Sequence, residues 1–173
     1  MFLVFFASIS FSLVGCQEKE SQAPAMIYAD DIPIAYTPGC GWEDFPAPIL
    51  DTCTEPLVEA APDLRGIWQD IAEEGNTAGR IERIEQCGNR VVITGGGVTH
   101  DMRADGTLEN GVNDVSGLNC EEIRVAAEFI DDSLVLSPEG MSIQVIRYLD
   151  GEELVVDHPL ISGRLRRIES IPD

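Results

Sequence analysis

Residues 122–136 read EIRVAAEFIDDSLVL, and this stretch decides the fold class. Ile123, Val125, Ala127 and Phe129 alternate with Glu122, Arg124, Ala126 and Glu128. Successive side chains of an extended chain point to opposite faces, so a period of two predicts a strand with one face buried. Asp131-Asp132-Ser133 then supplies turn residues, and Leu134-Val135-Leu136 begins a second apolar run. The same rhythm continues downstream. Ser137-Pro138-Glu139-Gly140 turns the chain into Met141, Ile143 and Val145, which alternate with Ser142 and Gln144. Asp150-Gly151 is a strong hairpin signal leading into Glu153-Leu154-Val155-Val156, and Gly163 precedes a last run over 164–168.

Upstream, Gly88-Asn89 separates a run over 80–87 from one over 90–94, and Asp105-Gly106 separates 98–103 from 107–112. Ile81 and Ile84 lie three apart, which also suits a helical turn over 78–87; the strand reading agrees better with the neighbouring runs. The total is about eight to ten strands at the spacing of a sandwich or barrel. Short turns make sequence neighbours antiparallel neighbours in space. The predicted fold is therefore all-β, an antiparallel up-and-down barrel, whose closure leaves no exposed edge, with a sandwich as the alternative.

Gly66-Ile67-Trp68, followed by the polar Gln69-Asp70, resembles the Gly-x-Trp opening of lipocalins. Arg164-Leu165-Arg166-Arg167-Ile168 is similar to the last strand of that superfamily, where an arginine packs over the opening tryptophan. Residues 147–155 resemble the late hairpin of fatty-acid-binding proteins. The resemblance implies a lipocalin-like (calycin) barrel whose mouth takes a small apolar ligand, with Trp68, Arg164 and Arg166 as ligand-binding residues. Fatty-acid binders fix a carboxylate with an Arg-x-Tyr pair in the last strand. This chain has Arg164-Leu165-Arg166 there and no tyrosine, so that clamp does not carry over.

The chain has 173 residues, enough for one compact domain plus extensions. With 44% hydrophobic residues it can bury a core. Lys+Arg number 11 against 31 Asp+Glu, a formal net charge of −20. Binding a phosphate backbone requires clustered cations, so nucleic acid is excluded as a partner.

The first sixteen residues, MFLVFFASISFSLVGC, carry no charge, and Gln17-Glu18-Lys19-Glu20 is an abrupt switch to polar. The apolar run is shorter than the ~20 residues of a membrane-spanning helix and reads as a secretory signal over 1–15. Leu13-Val14-Gly15-Cys16 resembles the lipobox of bacterial lipoproteins. The resemblance implies cleavage before Cys16, acylation of its thiol and amino group, and a membrane anchor. Gln17, not Asp, after the cysteine implies an outer-membrane address facing the periplasm in a host with two membranes. Residues 16–28 are then the lipidated cysteine and tether, 29–61 a proline-rich flap, and 62–170 the barrel domain. Prolines at 24, 33, 38, 46, 48, 56 and 62 keep this arm from being a central strand or long helix. Tyr36, Trp42, Phe45, Ile49 and Leu50 make it too apolar for a pure linker.

Setting Cys16 aside leaves Cys40, Cys53, Cys87 and Cys120, an even number for an oxidising compartment. Four cysteines allow three pairings. Nearest-neighbour pairing, Cys40–Cys53 and Cys87–Cys120, would close one bridge within the flap and one within the barrel. Zinc is disfavoured, because no CxxC pair exists and both histidines lie far from the cysteines in sequence.

His100-Asp101 beside Gly95-Gly96-Gly97 is the one place where an imidazole, a carboxylate and a glycine loop meet. Ser116 and Ser142 lack the Gly-x-Ser-x-Gly elbow of a nucleophile, so no catalytic assignment follows. Asp101, Asp105, Glu109 and Asp114 crowd one hairpin without the spacing of a calcium loop. No phosphate loop, dinucleotide fingerprint or redox CxxC motif appears, and no cofactor is expected. Two functions remain: a non-enzymatic, lipid-anchored barrel for a small hydrophobic ligand, or an acidic interaction module that binds or inhibits a cationic envelope or host protein. Electrostatic steering favours the second for basic partners.

Overall fold

The computed structural model describes residues 25–75, 77–159 and 162–172. Ten strands form one antiparallel sheet: β1 (Gly66–Asp70), β2 (Ile81–Cys87), β3 (Arg90–Gly95), β4 (Val98–Arg103), β5 (Val112–Val115), β6 (Glu122–Ile130), β7 (Ser133–Pro138), β8 (Val145–Asp150), β9 (Glu153–Asp157) and β10 (Gly163–Ile168). The sheet order is β4-β3-β2-β1-β10-β9-β8-β7-β6-β5. Pairing of β1 with β10 brings the first and last strands together, and the sheet's two ends, β4 and β5, come to lie side by side. The expected up-and-down barrel is the observed architecture, nearly closed, with the β4–β5 seam as its one interruption among the described residues.

Alternation of side chains builds the interior. Ile84 pairs with Ile93, Val91 with Met102, Ala127 with Leu136 and Phe129 with Leu134. Together with Trp68, Val112, Leu154, Val156 and Leu165 these form one continuous buried cluster, with Phe129 half-buried against it. Trp68 is 1% exposed and donates its indole N–H to the Leu64 carbonyl at 2.9 Å. Gln86 fixes that end of the barrel by accepting from the Leu64 amide and donating to the Pro62 carbonyl.

Three local expectations are corrected. The run 107–112 is not a strand: the Asp105 carboxylate accepts from the Thr107 amide and hydroxyl and from the Asn110 side chain, and these bonds hold a loop until β5 begins at Val112. The run 141–145 is likewise loop up to Val145, with Met141 exposed and its amide bonded back to the Pro138 carbonyl. The helical alternative over 78–87 gives way to strand β2, which ladders with β1 and β3.

The arm is irregular apart from one 3-10 turn, Ala29–Asp31. It lies along the outer face of β2, β3 and β4 as a strap. A second apolar cluster joins the two layers, with Ala29, Leu50, Cys87 and Val92 buried and Ile32 and Ile49 packed against them. The nearest-neighbour disulfide pairing is wrong. Cys40 bonds Cys120 and Cys53 bonds Cys87, with Cα separations of 5.2 and 6.2 Å. Each strap cysteine lies opposite a barrel cysteine, so the bridges stitch strap to barrel and neither closes the flap on itself.

Candidate functional site

One end of the barrel carries an open cleft of about 600 Å³ lined by Trp68, Leu149, Gly151, Glu152, Glu153, Arg166 and Arg167. The β8–β9 hairpin forms one wall, its turn allowed by Gly151 at φ +64°. Strands β1 and β10 form the other. Trp68 and Arg167 are directly opposite in that ladder, and the Arg167 guanidinium sits 4.7 Å from the centre of the indole ring. Among the described residues neither Arg166 nor Arg167 has a carboxylate within ion-pair distance. Arg166 makes one long bond, 3.3 Å, to the Gln69 side-chain oxygen, Oε1.

Two of the three arginine and tryptophan positions expected at the mouth, Trp68 and Arg166, line this cleft. Arg164 does not. It sits on the outer face between Asp150 and Glu153, at 2.5 and 2.7 Å, and these two carboxylates hold its proton more tightly than usual. Arg167 is the arginine of the last strand that packs over the opening Trp68, as the resemblance implies, but it is not among the residues expected to bind ligand. Leu165 is buried, so the period of two places 167, not 164, on the inner face beside Trp68.

Among the described residues a continuous apolar cluster occupies the interior, and buried polar groups lie beside it. Glu82 and Arg147, both more than nine-tenths buried, face each other at 3.5 Å without hydrogen-bond alignment. His100 lies in the same region, and burial lowers its pKa, with Arg147 adding to that and Asp114 opposing it. Its Nε2 is 3.0 Å from the Val115 carbonyl oxygen, a contact that spans the β4–β5 seam.

His100 and Asp101 therefore do not act together. Asp101, on the opposite face of β4, pairs with Arg90 at 2.7 Å, and both side chains are 2% exposed. The rest of the Arg90 fork donates to the carbonyls of Ala29, Ile32 and Pro33, while Asp101 accepts from the Ala35 amide. Arg83 donates to the Pro46 and Ala47 carbonyls, and Glu85 accepts from the Ile49 and Leu50 amides. Charged side chains on the outer face of the sheet thus satisfy the backbone of a strap that has no ladder of its own. Asp114 is spent in the same way on Thr37, and Asp105 on its own loop, so the acidic hairpin does not converge on a cation. Ser116 accepts from the Leu118 amide in a turn. Cys16 and the expected lipobox lie outside the described residues.

No family model matches the chain, and no curated protein matches it. Among solved structures it is similar to human cRBP IV, at 14% identity and a TM-score of 0.43, over 61% of this chain and 98% of that one. By its own strand order and bridges, the structure is a ten-stranded up-and-down β-barrel bearing an external, disulfide-stitched strap.

Proposed function

We propose that the protein is a non-enzymatic envelope lipoprotein, anchored through Cys16, whose barrel mouth binds a small apolar ligand with an acidic group. The observation that carries this reading is the cleft lined by Leu149, Arg166 and Arg167, in which Arg167 covers the buried Trp68 indole and neither arginine is within ion-pair distance of a carboxylate among the described residues. Leu149 and the arginine stems suit an apolar body, and the guanidiniums, free of direct carboxylate contacts, suit a carboxylate or phosphate head. The apolar cluster occupies the interior and the cleft opens at one end of the barrel, so the ligand is placed at the mouth.

Dodecanoate and dodecanol, titrated against the mature chain by calorimetry, test the proposal. Dodecanoate should bind more tightly, and Arg167→Met should weaken it about tenfold, ~1.4 kcal/mol, while leaving dodecanol unchanged. Equal affinity for the two probes, or no binding of either, refutes it. The anchor is tested separately by whether the mature protein enters the detergent phase on phase separation.

One observation favours the second reading, an acidic module for a cationic protein. In the extended part of the strap Ile34 and Tyr36 are 59% and 64% exposed, whereas Trp42 and Phe45 are half-buried and packed edge to face. Binding of an oligolysine peptide that weakens with salt and with Tyr36→Ser would support it.

A further inference from the structure

The two disulfides differ in setting. Cys53–Cys87 lies at the second apolar cluster, where Cys87 is 1% exposed beside Leu50 and Val92 and Cys53 is half-buried. Cys40 is exposed between two glycines, and Cys120 is half-buried in the β5–β6 loop with φ +61°, a left-handed conformation that a side chain rarely adopts. Thiol–disulfide exchange needs a thiolate to reach one sulfur in line with the other, so solvent access selects the bridge that reacts.

The exposed bridge also sits where the barrel is least continuous. β4 and β5 share no ladder, and the strap spans the gap between them. The Thr37 hydroxyl accepts from the Thr99 amide on β4 at 3.0 Å and donates to the Asp114 carboxylate on β5 at 2.7 Å. The Thr37 amide donates to the same carboxylate. Three residues on, Cys40 ties the strap to the loop after β5, and the Trp42 amide then donates to the Gly97 carbonyl. Without the covalent link, residues 37–42 are held across the seam by a few hydrogen bonds, which open locally. The remaining stitches, at Arg90, Arg83, Glu85 and Cys53–Cys87, lie on β2 to β4 and do not cross the seam.

We infer that Cys40–Cys120 is a thiol-exchange site, and that its reduction by a dithiol releases the strap from the β4–β5 seam while Cys53–Cys87 stays closed. A thiolate of the dithiol attacks the Cys40 sulfur and the Cys120 sulfur leaves as thiolate, taking up a proton. The second thiol of the reductant then attacks its own sulfur in the mixed disulfide and displaces Cys40. Two electrons and two protons pass to the protein, and the dithiol becomes a disulfide. The inference is independent of the ligand proposed at the mouth.

Graded dithiothreitol on the full mature chain, followed by alkylation and peptide mass spectrometry, tests the first half. Cys40 and Cys120 should be labelled at least about tenfold faster than Cys53 and Cys87. Amide exchange on the one-bridge species tests the second half. Protection of the Thr99 and Trp42 amides should fall by about tenfold or more, while Val91 and Ile93 stay protected. Simultaneous opening of both bridges, prior opening of Cys53–Cys87, or unchanged Thr99 exchange after selective reduction overturns the inference. The double variant Cys40→Ser, Cys120→Ser should reproduce the one-bridge exchange pattern; should it fail to fold, graded reduction of the unaltered chain still decides.

Discussion

Arg90 is the residue on which the strap depends most. Its guanidinium bonds both oxygens of Asp101 and three strap carbonyls, which exhausts a planar fork of five N–H groups. Arg90→Met strips those carbonyls and leaves the Asp101 carboxylate buried with only the Ala35 amide, so it should cost ~3–5 kcal/mol in denaturant unfolding. The double variant with Asp101→Leu removes both charges and should recover part of that loss; a single variant within ~1 kcal/mol of the parent would refute the assignment. His100 yields a prediction in pH. Burial holds its folded pKa below the ordinary value, so the unfolded chain binds the proton first as pH falls. The contribution of His100 to stability is therefore complete above about pH 7 and declines as pH falls through the region below ~6.5. His100→Gln, neutral throughout, should show a flatter stability profile between about pH 7.5 and 5.5, before the carboxylates titrate. Parallel profiles for the two proteins would show that His100 is not buried uncharged.

At the scale of elements, legibility followed whether a face was left to solvent. Strand β6 declared itself because its outer face is exposed and polar, giving a clean period of two. Strand β2 was ambiguous because both of its faces are covered. Ile84 and Gln86 point inward, while Arg83, Glu85 and Cys87 point into the strap, so polarity no longer reports exposure. The same blindness hid the disulfide pairing and the roles of Arg90 and Asp101, since nothing in a linear sequence says which outer face a proline-rich arm will cover. At the mouth, the resemblance pointed to Trp68, Arg166 and an arginine over the tryptophan, and strand parity around Leu165 was the unread signal that Arg167 is that arginine while Arg164 and Arg166 share the outer face. Glycines separate turn from packing in a testable way. Gly140 lies in a turn at φ +73° with open space where a Cβ would go, so Gly140→Ala should cost ~1 kcal/mol or slightly more. A Cβ on Gly111 would lie 2.0 Å from the Val125 carbonyl oxygen, forcing β5 off β6. Gly111→Ala should be the worse by several-fold in unfolding free energy, and equal costs would show that β5 and β6 do not approach closely at this point.

For the whole molecule the governing quantity is the net charge of −20. Many of the scarce cations are already committed: Arg83, Arg90 and Arg147 are buried against carboxylates, and Arg65, Arg103, Arg124 and Arg164 hold exposed or half-exposed partners. Most of the 31 acids therefore repel one another across a small surface. Two electrostatic effects of salt then compete. Screening weakens the exposed ion pairs, each contributing no more than ~1 kcal/mol, and it relieves the long-range repulsion that opposes the compact state. The buried pairs that clamp the strap are shielded from ions and contribute to neither side. Repulsion grows with the square of net charge while the exposed pairs are few, so relief of repulsion should win. The midpoint of thermal unfolding at neutral pH should rise by several degrees as sodium chloride goes from about 10 to 300 mM, a range over which the screening length falls from ~30 Å to below ~8 Å. A midpoint that falls with salt would mean that surface pairs such as Arg164 with Asp150 and Glu153 outweigh the excess negative charge in holding the barrel together.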